Sequence, residues 1–332
     1  MFLHVLFCMF EKIISLENLY SAWEEFLRGK RNKKDVQIFS LRLSDNIFAL
    51  HKELVNKTYT HGSYVSFKIS DPKPRDIHKA SVRDRLLHHA VYRVLYPYFD
   101  KKFIHDSFSC RNNKGTHRAL RRFQKYVWMV GKNNTKQCWI LKCDIRKFFA
   151  GIDHKILLSI LHKHIFDQNV IWLCNQIITS FETPHEIHKG LPLGNLTSQL
   201  FANVYLNELD QFIKHQLRVD QYIRYADDFV IFSQNKNEIE FIRAHIHEFL
   251  VTRLRLLLHP DKVFARTIGS GVDFLGWVYF SDHRVLRGTT RKRMFRRLKT
   301  HHTLETLNSY RGLLRHGNTH RLQNLILRHP AS

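Results

Sequence analysis

No stretch of these 332 residues approaches the roughly 20 consecutive apolar side chains that a membrane-spanning helix needs. Cysteine is scarce and scattered: Cys8, Cys110, Cys138, Cys143 and Cys174 show no Cys-x-x-Cys spacing. That argues against a disulfide framework or a zinc ribbon, and it fits a reducing cytoplasm. The 23 histidines include the pairs His88/His89, His162/His164 and His301/His302, but none sits in a Cys/His set at zinc spacing. They are expected at the surface or against nucleic acid. No internal repeat or low-complexity linker divides the chain. The opening MFLHVLFCMF lacks a basic flank and an Ala-x-Ala cleavage pattern, so it is a poor signal peptide. A short buried helix and residues upstream of the true start codon are the two readings left for it.

Acid is the other shortage. The chain has 29 Asp and Glu against 53 Lys and Arg, a formal net charge of +24. Such a surplus repels itself in a compact chain, and a polyanionic partner is the usual reason to tolerate it. With membrane spans excluded, nucleic acid leads. The hydrophobic content of 44% is that of a folded protein, and the length suits one large core or two or three subdomains.

Periodicity predicts helices over Leu16–Lys30, Ser44–Asn56 (Ile47, Leu50, Leu54 and Val55 inward) and Ser81–Leu95, the last stopped by Pro97. Tyr64–Ile69 is a predicted strand closed by the breaker-rich SDPKPRD. A basic amphipathic helix follows, with Leu120, Phe123 and Val127 on one face and Arg118, Arg121, Arg122 and Lys125 on the other. The commonest reading of such a face is a solvated one; among so many basic segments it tilts toward phosphate contact. Cys138–Cys143 forms a strand ending on Asp144, then helix begins after Asp153, a good N-cap, and again near Asn169–Ser180. Helix is expected over Thr197–Leu217 and Glu238–Leu256, a strand in LLLHPDKVF and a further hairpin strand in VDFLGWVYF. From Arg284 onward twelve Lys and Arg face a single acid, Glu305, in a helical tail. This order suits an α+β fold with a small antiparallel sheet packed on helices.

The chemistry concentrates in QYIRYADDFVIF, residues 221–232, where two β-prone runs flank Asp227 and Asp228. A lone Asp-Asp pair is most often a solvated turn. Two adjacent carboxylates nevertheless repel, and a divalent ion such as Mg²⁺ is the usual remedy. Asp144 ends another predicted strand; if the two strands are neighbours, three carboxylates converge on one edge, a donor set for two metals and an in-line phosphoryl displacement.

KCDIRKFF, GLPLGNLTSQLFAN and RYADDFVIF, in this order, resemble the palm motifs of reverse transcriptases. The resemblance extends upstream through KPRDIHKASVRDRLLHHAV and DSFSCRNNKGTHRAL and downstream through Lys262 and VDFLGW, covering roughly residues 40–285. It implies a right-hand polymerase: an N-terminal helical extension (1–40), fingers (41–137), palm (138–285) and a short basic helical thumb (286–332). It implies an RNA template, a DNA or RNA primer, dNTPs and two Mg²⁺ ions, for which Mn²⁺ can substitute. Asp144, Asp227 and Asp228 match the metal triad, with the Ile145 carbonyl as a further ligand, and Lys262 matches the proposed general acid for pyrophosphate. Phe149 matches the aromatic gate against a 2′-hydroxyl, with either Phe148 or Phe149 left to the core. Arg75, with Lys73 or Lys68, and Arg111 fall where the family binds triphosphate; Leu275, Gly276 and Trp277 match the primer grip.

One departure bears on subtype. Most reverse transcriptases carry Gln-Gly and then Ser-Pro before the long palm helix, whereas this chain has Leu193-Gly194 and Ser198-Gln199. That form resembles the diversity-generating retroelement branch, which is error-prone at template adenine and implies a small basic accessory protein. The alternatives are a retron-like, phage-defence or minimal group II intron-like enzyme, or an inactive RNA-binding descendant. No H-N-H pattern or RNase H acid set follows residue 285, which favours the compact expectation. Phe149 and the Tyr-Ala before the aspartates weigh against an RNA replicase.

Overall fold

The computed structural model describes residues 9–70, 74–184, 186–301 and 303–327. The opening segment 1–8 and Lys73 therefore lie outside the described residues. Among those described, no helix is long and apolar enough to cross a membrane.

Four N-terminal helices come first: α1 (Met9–Ile14), α2 (Leu16–Phe26), α3 (Lys34–Ser40) and α4 (Leu43–Val55). Ser15 caps α2 by accepting from the Asn18 N–H at 3.2 Å. The expected helix ends four residues early, at Phe26, and the basic run after it leads straight into α3. In α4 Ile47, Leu50 and Leu54 are buried as expected, but Val55, in its last turn, is 51% exposed. Strands β1 (Val65–Ile69) and β2 (Arg75–Lys79) form a hairpin, so a strand follows the prolines where only a breaker was expected.

Helix α5 (Val82–Asp100) runs through Pro97 instead of stopping before it. Proline forfeits one backbone hydrogen bond, but Leu95, Tyr96 and Phe99 on the same turns are buried, and that packing offsets the loss. The basic amphipathic helix is α6 (Thr116–Val130), with Leu120, Phe123 and Val127 inward.

The central sheet has the order β4-β5-β3-β6, all antiparallel, from β3 (Trp139–Asp144), β4 (Tyr222–Tyr225), β5 (Asp228–Ser233) and β6 (Phe264–Thr267). Side chains alternate strictly between its faces. Leu141, Cys143, Tyr222, Phe229 and Ile231 join one core with the N-terminal helices, α5, α8 (His154–His164), α9 (Gln168–Ile178), α10 (Leu196–Gln211) and α11 (Lys236–Leu254). A single turn, α7 (Phe148–Gly151), precedes α8, and Asp153 caps α8 by accepting from the Ile156 N–H at 3.1 Å. Cys138, Ile140, Ile223, Val230 and Phe232 point the other way, into a second core with α6 and the C-terminal part. The segment expected as one strand in LLLHPDKVF is irregular until Phe264, joined to the sheet by an isolated bridge from Leu258 to Ile145. VDFLGWVYF is itself a hairpin, β7 (Val272–Phe274) and β8 (Trp277–Tyr279), extended by β9 (Arg284–Leu286). The basic tail forms α12 (Gly288–Thr300), α13 (Leu304–Leu314) and α14 (His320–Leu327).

The histidines depart from expectation. His88 and His154 are almost fully buried, at 1% and 2% exposure, and so pack in the protein rather than on its surface.

Candidate active site

Strand pairing alone brings the aspartates together. β3 and β5 are neighbours whose register sets Asp144 directly opposite Asp228. By the alternation of the pleat, Lys142, Asp144 and Asp228 share the face that carries Ile140 and Val230. Asp227 lies in the two-residue turn between β4 and β5, where Ala226 takes the left-handed φ of +55°. The Asp227 carbonyl accepts from the Ile145 N–H at 3.3 Å, and the Asp144 carbonyl accepts from the His259 N–H at 2.8 Å. The turn and the end of β3 are thus fixed to each other by main chain.

Two lysines sit on this edge. Lys262 Nζ donates to Asp144 Oδ1 at 2.8 Å, and Lys142 Nζ lies 3.6 Å from Asp228 Oδ2. They do not balance three carboxylates. Burial pushes the Asp228 carboxyl up to about 7, helped by Asp144, Asp227 and Asp273 and opposed by Lys142. Burial also raises Asp227, with Asp144 adding to it and Lys262 and Arg75 opposing. Asp228 Oδ1 is buried with no hydrogen-bond partner among the described residues. An acceptor left unpaired beside two more carboxylates is a donor set for hard divalent cations, so the residues fit Mg²⁺.

Beneath the turn lies a network that motif reading passed over. The buried Arg224 guanidinium holds both oxygens of buried Asp210 at 2.7 and 2.6 Å. Its remaining N–H groups reach Asn203 Oδ1 at 3.1 Å and the Ala226 carbonyl at 3.2 Å. Tyr222 also donates to Asp210, at 2.7 Å. Arg224 therefore ties the Asp-Asp turn to α10. The available signal was an arginine at an inward position of an otherwise apolar strand, which demands a buried acid. Lys142, two residues before Asp144 and hence on its face, was legible in the same way.

The other expected site residues divide. Phe148 is core, while Phe149 is half-buried, its ring edge-on to Phe148 at 5.4 Å. Ile145 is buried beside Asp144, at the carboxylate edge. Arg75 opens β2, exposed, close enough to lower the Asp227 carboxyl; Lys68 is exposed on the paired strand β1. Leu193 and Gly194 lie against β2: the Leu193 carbonyl accepts from the His78 N–H at 3.1 Å. Gly194, at φ +104°, comes so close that an added Cβ would meet Ile77 at 3.0 Å. Gly194 and Gln199 both line a cavity of about 380 Å³ with Lys30, Lys79, Arg85 and His88.

Arg111 is not free to meet a triphosphate. Its guanidinium is spent on Asp100 Oδ1 at 2.7 Å and on the carbonyls of Asp100, Ile104 and Ser107. Arg122 is likewise engaged by Asp106, leaving Arg118, Arg121 and Lys125 as the exposed cations of α6. Leu275 and Gly276, both at positive φ, form the tight β7–β8 turn. Trp277 is buried, with Arg284 over its ring, and so belongs to the core between this hairpin and the helical tail.

Protein YkfC of Escherichia coli is 25% identical over 288 residues, spanning 75% of this chain and 74% of its own length. The group II intron-encoded protein LtrA of Lactococcus lactis is 23% identical over 292 residues, and the match spans 68% of this chain but only 47% of LtrA. Among solved structures, apo telomerase from Candida tropicalis aligns with a TM-score of 0.52 at 11% identity, over 69% of this chain and 55% of that one. Candida albicans telomerase with a fragment of telomeric RNA aligns with a TM-score of 0.51 at 12% identity, over 76% and 54%. At such identities the likeness is one of fold, an α+β polymerase architecture. Residues 35–279 match the reverse transcriptase family described as RNA-dependent DNA polymerase, and the chain belongs to that family.

Proposed function

We propose that this chain copies RNA into DNA at the edge formed by Asp144, Asp227 and Asp228. The observation that carries the reading is the direct register of Asp144 on Asp228, with a buried Asp228 Oδ1 that has no hydrogen-bond partner among the described residues. Asp144, Asp227, Asp228 and the Ile145 carbonyl would hold two Mg²⁺ ions. Bound there, the ions, for which Mn²⁺ can substitute, supply the positive charge that activates a primer 3′-hydroxyl and neutralises pyrophosphate. Lys262 Nζ, donating to Asp144 Oδ1 at 2.8 Å, lies on the same edge, where it can serve the leaving group. Arg75, aided by Lys73 or Lys68, faces the triphosphate, and Phe149 closes the space a 2′-hydroxyl would need. Leu275 and Gly276 present a rigid turn to the primer. In this reading residues 41–137 serve as fingers, 138–285 as palm and 286–332 as thumb, with RNA template, DNA or RNA primer and dNTPs as partners.

For subtype, Leu193-Gly194 and Ser198-Gln199 support an error-prone enzyme of the diversity-generating kind, working with a small basic accessory protein. A compact intron-type enzyme is the second reading, supported by the relative whose name carries a group II intron. Purified protein with Mg²⁺ is expected to extend a primer on an RNA template using dNTPs. No incorporation on any template would leave RNA binding as the function. Sequencing the product separates the subtypes: errors concentrated at template adenines support the first, and an even spectrum supports the second.

A further inference from the structure

Away from the aspartates, residues 181–184 and 186–190 fold back against the start of α8. The Asp153–Lys189 bridge, the His154 N–H on the His188 carbonyl at 2.9 Å and the Gly190 N–H on the Ile152 carbonyl at 2.8 Å fasten them there. His154 is buried at this junction, with Nε2 2.7 Å from the Gly190 carbonyl. A carbonyl only accepts, so Nε2 carries the hydrogen and Nδ1 of the neutral ring keeps its lone pair. Nδ1 is itself buried and without a hydrogen-bond partner among the described residues.

Two exposed side chains of the segment complete a donor set. His188 Nδ1 lies 3.4 Å from Glu182 Oε1, and a ring nitrogen of each histidine and a Glu182 oxygen all lie within 4.8 Å of one another. Ligands about 2.0–2.1 Å from a tetrahedral ion are roughly 3.4 Å apart, the spacing Glu182 and His188 already have. Both are on the surface, and Glu182 Oε1 also accepts from the His188 N–H at 3.0 Å, which holds the carboxylate beside the His188 ring. A histidine whose other nitrogen donates to a backbone carbonyl is the usual form of a metal ligand. Two imidazoles with one carboxylate favour zinc over Mg²⁺, which takes oxygen donors.

We infer that His154, Glu182 and His188 bind one zinc ion, leaving a fourth position to solvent and clasping the 181–190 segment onto α8. Because that segment runs directly into Leu193-Gly194, the ion would brace the base of the contact with β2. The site is independent of the polymerase reading.

The test uses the untagged full chain, stripped with chelator and dialysed against zinc in excess Mg²⁺ to occupy the aspartates. About one zinc per chain is expected, and Co²⁺ in its place should give the intense visible bands of a four-coordinate ion. Glu182→Gln with His188→Ala should weaken zinc binding roughly 10–100-fold or more while leaving the metal-free melting curve unchanged. Because both residues are exposed, loss of binding would not reflect misfolding. Stoichiometric binding that survives in the double variant would place the ion elsewhere and overturn the assignment. No binding by the parent chain would reduce Glu182 and His188 to a surface ion pair and overturn it equally.

Discussion

Asp144 and Asp228 stand opposite each other across the β3–β5 ladder, one held by Lys262 at 2.8 Å and the other approached by Lys142 at 3.6 Å. The lysines leave a surplus of negative charge on a half-buried edge, so the site is poised for cations at a cost to stability without them. Asp228→Asn removes one charge and one of the proposed metal ligands. DNA synthesis should fall by roughly 10²–10³-fold or more, while RNA affinity stays the same or rises. In metal-free buffer at neutral pH the variant should melt higher than the parent. Comparable synthesis by the variant would sink the site assignment.

Arg224 and Asp210 are both fully buried, and breaking such a pair strands a charge. Arg224→Ala is expected to lower stability by about 3–5 kcal/mol in urea unfolding. Arg224→Lys keeps the charge but cannot hold both Asp210 oxygens and the Ala226 carbonyl together. It should fold with reduced stability and lose synthesis more than RNA binding. An unchanged urea midpoint in Arg224→Ala would show that the network does not support the turn.

The meeting of the three carboxylates was legible because they stand at strand ends, and the strand pattern around Asp144 and Asp227–Asp228 is strongly apolar. What supports that edge was less so. Asp210 lies on a helix 14 residues before Arg224, and only the folded packing joins them. Pro97 misled because local propensity marks it as a stop while tertiary burial of its neighbours overrides it. Arg111 shows the same limit, since a basic residue in a phosphate-binding context can equally be consumed by nearby carbonyls. The zinc-type donor set has no spacing signature at all, as residues 154 and 188 meet only through the fold-back of the intervening segment.

Phe149 stands half-buried, its ring edge-on to Phe148 at 5.4 Å. Phe149→Ala should raise incorporation of ribonucleotides relative to deoxyribonucleotides by about tenfold or more, read as a ratio of kcat/KM values. An unchanged ratio would remove Phe149 from the sugar gate.

Arg118, Arg121 and Lys125 are the exposed cations of α6, and phosphates would release counterions on meeting them. RNA affinity should fall steeply with salt. Replacing all three with Ala should reduce the slope of log affinity against log salt by about 2, at roughly 0.7 per phosphate on a single strand. Fluorescence anisotropy across a salt series measures it; an unaltered slope would remove this face from the RNA path.

His88 and His89 make folding sensitive to acid well above the range of the carboxylates. Burial, then the neighbouring His61, pushes His88 down to about 3. Burial, then Lys30, Arg85 and Arg93, pushes His89 to about 4, both from an ordinary 6.5. Asp84 also bears on His88 and works in the opposite direction, too weakly to restore it. The folded protein thus keeps two neutral imidazoles that the unfolded chain protonates. Below pH 6.5 the unfolded state binds more protons, so stability is complete above that value and drains away as pH falls toward the folded values. Melting temperature should therefore decline between about pH 6.5 and pH 4.5, and His89→Gln should flatten that decline while leaving the melting point at higher pH nearly unchanged. A parent protein whose melting point holds steady through this interval would contradict the buried, neutral state of both rings.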